Sequence, residues 1–215
     1  MGKIKKNIIY QMAYQILAIA LPLITTPIIT RGLGADALGK YSYTYAIVSY
    51  FSVFAMLGVN SYGTREIARV KSNADKGIIN RVFSEIYSLQ IILSLFAIGL
   101  YYIFLFFIGS QYKLIASIQG IYLIGTLTDV AWFYFGIEDF KTTVTRNIIV
   151  KLISAIVIII FVRSPSDLLL YTITLIGSTA ISNIILVFKL KKYISFCIPT
   201  IKRVFHHLKP NLILF

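Results

Sequence analysis

Hydrophobic positions in this chain run in long uninterrupted blocks, not in strict alternation or on one helix face. Six blocks stand out: Ile8–Ile29, Tyr41–Gly63, Phe83–Gly109, Leu114–Ile137, Thr143–Val162 and Leu168–Lys189. Each is long enough to cross a ~30 Å hydrocarbon core, which takes ~20 helical residues. Polar residues are confined to short links at Arg31–Lys40, Ser110–Lys113, Glu138–Thr142 and Arg163–Asp167, and to a longer loop, Thr64–Val82. Residues 190–209 form a basic segment, and 210–215 (Pro210-Asn-Leu-Ile-Leu-Phe215) read as the first turn of a further span. The pattern predicts an all-α integral membrane protein whose residues 1–189 form a unit of six transmembrane helices. Ala18-Ile-Ala20 after a basic start could pass for a signal-peptide cleavage site. The apolar run continues to Ile29, however, which favours an uncleaved anchor.

Composition sharpens this picture. Residues of the AVILMFWYC set make up 58% of the chain and charged residues only 13%, about half the ~25% of a soluble domain. A mean hydropathy of +0.81 agrees. The net charge of +13 would in a soluble protein suggest nucleic acid, but no soluble basic face exists, so nucleic acid is not an expected partner. Alternating the spans from an inner N-terminus puts seventeen of the 21 Lys and Arg residues on one side, leaving Arg31, Lys40, Lys113 and Arg163 on the other. That asymmetry makes the first side cytoplasmic and explains most of the charge. A single cysteine, Cys197, excludes an internal disulfide and a Cys-based metal site, and His206 and His207 lie outside the spans. No metal or other cofactor is expected.

Ionisable groups within spans need a reason, because the bilayer interior penalises them. Asp129 lies about eight residues from the inner end of its span, ~12 Å deep at 1.5 Å per residue, too far for a carboxylate to snorkel. Lys151 and Arg146 lie in the fifth block. An antiparallel hairpin turning at Glu138–Lys141 puts Asp129 level with Val150, one residue from Lys151, so an ion pair is geometrically open to them. The span inserts regardless. Its twelve Ile, Leu, Val and Phe residues from Ile148 to Val162 contribute about −5 kcal/mol, against at most about +3.5 for one lysine. Snorkelling to inner headgroups therefore competes with pairing for Lys151 and Arg146. For Asp129 the competing reading is a protonated carboxyl, or one bonded to Thr126 or Thr128. Pro22 and Pro27 are expected to bend the first span. Trp132-Phe-Tyr-Phe135 reads either as an interfacial belt or as ring faces on a cavity wall, and the tyrosines from Tyr41 to Tyr50 share that ambiguity.

Two stretches carry more than hydropathy. One is Gly34-Ala-Asp-Ala-Leu-Gly39-Lys-Tyr41 followed by Leu57-Gly58 and Tyr62-Gly63-Thr64-Arg65-Glu66. The other is Asp129-Val-Ala-Trp132-Phe-Tyr-Phe-Gly136-Ile-Glu138, continuing to Arg146 and Lys151. Gly39 suits a tight outer turn into a helix, Gly58 and Gly63 a close helix contact, and Gly136 the end of a helix at the inner turn. Arg65 and Glu66, where the second span leaves the membrane, could pair or hold a headgroup. In order and spacing these motifs resemble the polysaccharide-transporter branch of the multidrug/oligosaccharidyl-lipid/polysaccharide flippase superfamily, the Wzx-type exporters of O-antigen, capsule and exopolysaccharide units.

The resemblance implies two bundles in a 12–14-helix transporter of the bacterial cytoplasmic membrane, working by alternating access. Residues 1–189 correspond to the first lobe, 190–209 to the inter-lobe segment, and the chain to an N-terminal half. The implied cargo is an undecaprenyl-diphosphate-linked oligosaccharide, and further implied partners are the polysaccharide polymerase and chain-length machinery. Carried over by position, Lys151, Arg146, Asp129 and Arg65 are the candidate substrate-binding residues. The alternative within the superfamily, a cation-coupled multidrug exporter, calls for an acidic cavity, for which Asp129 and Glu85 are the candidates. A membrane enzyme ranks last, because the spans hold no histidine and no paired carboxylates.

Overall fold

A computed structural model describes residues 3–72 and 75–213, with the side chains of Lys3, Ile4 and Lys6 outside the description. The expected inner charges on the Lys3 and Lys6 side chains lie outside that description, and Leu214 and Phe215, the last residues of the expected seventh span, lie outside the described residues. The described chain is helical, with no strand. Its helices are α1 (Lys3–Met56), α2 (Val59–Lys71), α3 (Lys76–Phe104), α4 (Ser110–Gln119), α5 (Ile121–Leu127) and α6 (Ala131–Gly136). After these come α7 (Phe140–Phe161), a 3-10 turn (Pro165–Asp167), α8 (Leu168–Leu190), α9 (Ile201–His206) and α10 (Leu208–Ile213).

Among the described residues five helical runs are long and apolar enough to cross a membrane, where hydropathy reads six blocks. The difference lies at the N-terminal end. The expected link Arg31–Lys40 is helical on both sides of Gly34, where the backbone leaves helix with a φ of 75° and ψ of 170° that suit glycine alone, so the first two blocks meet at a kink without a loop. Gly39, expected to make that turn, is ordinary helix with open space where a Cβ would stand. Pro22 and Pro27 stay within continuous helix. Asn7 donates to the Glu138 carbonyl (3.4 Å) and Lys71 to the Ile137 carbonyl (2.9 Å). Gly32 instead lies against the backbone of Val162 and Arg163. The chain thus leaves one end of α7, meets the other end at Gly32, and is back where it began by Lys71.

The loop expected at Thr64–Val82 is much shorter, because α2 runs on to Lys71 and α3 begins at Lys76, capped by the Asp75 carboxylate on the Gly77 N–H. Hydropathy predicts α7 and α8 closely. The fourth block is the exception, broken into α4, α5 and α6 at Gly120 and at Thr128–Val130.

Packing explains the aromatic run. Trp132, Phe133 and Tyr134 are fully buried, neither belt nor cavity wall, whereas Phe135 is half-buried and does line a cavity, as the second reading has it. The indole stacks on Phe83 at 5.2 Å. A Cβ on Gly63 would sit 2.5 Å from that indole, and one on Gly136 2.6 Å from Ile67. Two glycines therefore let α2 and α6 approach closely. Outside the core, Ile16, Leu23, Phe96, Phe107 and Phe188 are among many large apolar side chains left exposed, the surface a lipid-immersed bundle presents.

Candidate functional site

The break at Thr128–Val130 frees backbone carbonyls inside the bundle, where each must find a donor. Side chains from two other helices supply them. Gln90 of α3 donates to the carbonyls of Thr126 and Asp129 and accepts from the Trp132 indole N–H at 2.9 Å. Tyr87 donates to Leu127, and Asn183 of α8 to Gly125. The Asp129 carboxylate accepts the Ala131 N–H at 3.1 Å, at the start of α6. Neither Thr126 nor Thr128 bonds it, since their hydroxyls go to Leu123, Ser94 and Gly125.

Beside this break lies a cavity of about 400 Å³. Asp129, Arg146 and Lys151 all line it, together with Asn147, Ser154, Thr179 and Asn183, and with Tyr14, Tyr41, Tyr45 and Tyr122. A neighbouring pocket shares Asp129 and Asn183 and reaches Ser52 and Asn60; another shares Lys151 and reaches Pro22 and Thr25. Three of the four predicted site residues thus meet at one place. Arg65, the fourth, is exposed on α2 and does not line the cavity, and its neighbour Glu66 pairs with Arg69 (2.6 Å) instead.

Arg146 is buried, 8% exposed. Its guanidinium donates to the Ser182 carbonyl of α8 and to the Asn147 side chain. Snorkelling is not its solution. Lys151 places its ammonium 5.1 Å from the centre of the Tyr14 ring, a cation–π contact. The ion pair between Asp129 and Lys151 that the hairpin allows is not made, although both line the cavity. The reason is local: the hairpin estimate assumes a straight fourth helix, whereas the break turns the carboxylate onto the α6 backbone.

At the cavity two cations therefore face one carboxylate already engaged by a backbone N–H, among amides, hydroxyls and ring faces. Such a lining suits a polyhydroxylated ligand that carries negative charge. No group of metal-binding side chains occurs among the described residues.

A second polar cluster lies elsewhere. His207, placed outside the spans by its sequence position, is buried, with Nε2 2.9 Å from Glu85 and Nδ1 2.6 Å from the Tyr62 hydroxyl. A carboxylate only accepts, so the proton between His207 and Glu85 sits on Nε2. Asn211 adds a bond to the Leu57 carbonyl, which α1 frees where it ends. The residues after α8 are thus docked on α2 and α3. Separations of 122 and 145 residues give these contacts no local signature.

The family described as "Polysaccharide biosynthesis protein" matches residues 4–215. A Shigella dysenteriae protein named "Putative O-antigen transporter" is 30% identical over 190 residues, 87% of this chain and 47% of that protein. An Escherichia coli K12 protein of the same name is 26% identical over 168 residues, 77% of this chain and 40% of its own length. The chain spans about half the length of these curated relatives. No solved structure matches it significantly.

Proposed function

Since the chain belongs to the polysaccharide biosynthesis protein family that its motifs resemble, we propose that it forms one lobe of a flippase for undecaprenyl-diphosphate-linked oligosaccharides in the bacterial cytoplasmic membrane. The bundle then crosses the bilayer six times, α1 accounting for one crossing up to Gly34 and, with α2, for the return. The N-terminus and the Glu138 turn face the cytoplasm, as the Lys and Arg asymmetry requires. The lobe moves its cargo by alternating access and without covalent chemistry.

One observation carries this reading: Arg146 and Lys151 line a single cavity, and neither is in an ion pair among the described residues. A diphosphate stripped of water needs such counter-charges. The amides, hydroxyls and tyrosine rings around them suit sugars. A cation-coupled drug exporter would need the opposite sign of field, and the one cavity carboxylate is occupied by backbone.

Binding tests the proposal. With the purified chain in nanodiscs, Arg146→Gln and Lys151→Gln should each weaken binding of an undecaprenyl-diphosphate-linked oligosaccharide by about tenfold, the loss of one charge-assisted contact of ~1.4 kcal/mol. Unchanged affinity in both variants would remove the cavity from the mechanism.

A further inference from the structure

Arg146 borders two spaces. Besides the interior cavity it lines a groove of about 410 Å³ between α7 and α8, shared with Lys141, Thr145, Ile149, Ile185 and Lys189. Lys141, Lys189 and Ile149 are exposed. Neither lysine has an ion-pair partner among the described residues. The groove therefore has cationic residues at the end nearer the Glu138 turn and an apolar continuation along the helices. That is the shape and polarity of an anionic lipid held by its phosphate end. The groove between α1 and α3 differs in kind, being lined by Phe51, Phe54, Leu93 and Phe96 with no charge.

Helix geometry links the groove to the cavity. Lys141, Arg146 and Lys151 are spaced five residues apart on α7. Each step rises ~7.5 Å and turns about 140° beyond a full turn. The three cations thus wind from the groove, past the seam, to the interior. The seam at Arg146 is polar: its guanidinium binds the Ser182 carbonyl, and Ser182 and Asn147 approach at 3.4 Å. Hydrogen bonds between membrane helices contribute only modestly, and a phosphate oxygen is a stronger acceptor for a guanidinium than a neutral carbonyl. A phosphate can therefore replace a carbonyl on Arg146 at small cost.

We infer that the groove between α7 and α8 is the lateral access site at which the diphosphate of an isoprenoid lipid carrier docks from the inner leaflet before Arg146 passes it to Lys151. This rests on the flippase reading and adds to it a position and an order of contacts. The tail stays in the bilayer along Ile149 and Ile185 throughout, so the polar head alone crosses the seam.

Photocrosslinking tests this on the purified chain in phosphatidylcholine nanodiscs, with undecaprenyl diphosphate as the probe. A benzophenone side chain at Ile149 or Ile185 should capture the probe several-fold more than one at the lipid-exposed Leu95 of α3. The double change Lys141→Gln with Lys189→Gln should lower capture at Ile149 about tenfold, and Lys141→Arg with Lys189→Arg should restore it. Neutral undecaprenol should not compete. Equal capture at Leu95, no loss in the double glutamine variant, or equal competition by phosphatidylglycerol overturns the inference. Failure here with intact sensitivity to Arg146→Gln and Lys151→Gln leaves the cavity reading standing. Groove capture without that sensitivity removes the cavity reading and keeps a lipid site.

Discussion

Gly63 and Trp132 show how much one side chain's volume decides. The indole fills the place where a Gly63 Cβ would stand, and it is held on the other side by Phe83 and Gln90. Gly63→Ala should therefore destabilise by about 1–3 kcal/mol through overpacking. Gly39→Ala, with nothing within 4 Å of the new carbon, should be neutral or slightly stabilising. Thermal unfolding of the two variants in one detergent checks the contrast, and equal midpoints would contradict the packing. The motif glycines Gly34, Gly39, Gly63 and Gly136 are visible as a set in the sequence. Their jobs are not, because a positive φ, a ring contact and an open face leave the same letter.

At the scale of elements, the broken fourth span matters most. Its hydropathy is continuous, so the block reads as one helix, yet Thr128–Val130 departs from helix and the freed carbonyls are met by Gln90, Tyr87 and Asn183. Gln90→Leu removes two donors and the acceptor for Trp132 at once. Each buried group left unpaired costs about 1–3 kcal/mol, so this variant should lose several times the stability that Gly63→Ala does. Trp132 is the single tryptophan, which makes its emission a direct reporter: Gln90→Leu should shift its spectrum and lower the unfolding midpoint. An unaltered spectrum and midpoint would show that the amide does not hold the break. The same break explains why Asp129 and Lys151 share a cavity without pairing.

For the whole molecule, charge asymmetry and fold make one joint prediction. The Glu138 turn, Lys71 and Asn7 share one end of the bundle, and Gly32 and Arg163 share the other. Cys197, the only cysteine, is exposed and follows α8. Its neighbourhood is fixed to α3 by bonds from the Ser195 and Cys197 N–H groups to Asn80 and Ser84. In oriented vesicles a membrane-impermeant maleimide should label Cys197 only from the cytoplasmic side. A Cys197→Ser protein carrying Asp36→Cys should label only from the opposite side. Labelling of both positions from one side would contradict the six-crossing path.

What the sequence determined by itself is the solvent, and its charge asymmetry sets the expectation of sidedness. Transfer to lipid and the placing of Lys and Arg depend on summed composition over ~20 residues, and sums survive any local irregularity. It also supplied the cationic residues of α7, since a lysine or arginine deep in an apolar run stands out whatever surrounds it. Only the tertiary structure decided which of these residues meet. Arg65 falls away from the cavity, Trp132 turns inward, and His207 returns to Glu85 and Tyr62 across more than a hundred residues. Such meetings follow from where helices break and which backbone groups must then be satisfied, and those are properties of neighbours in space.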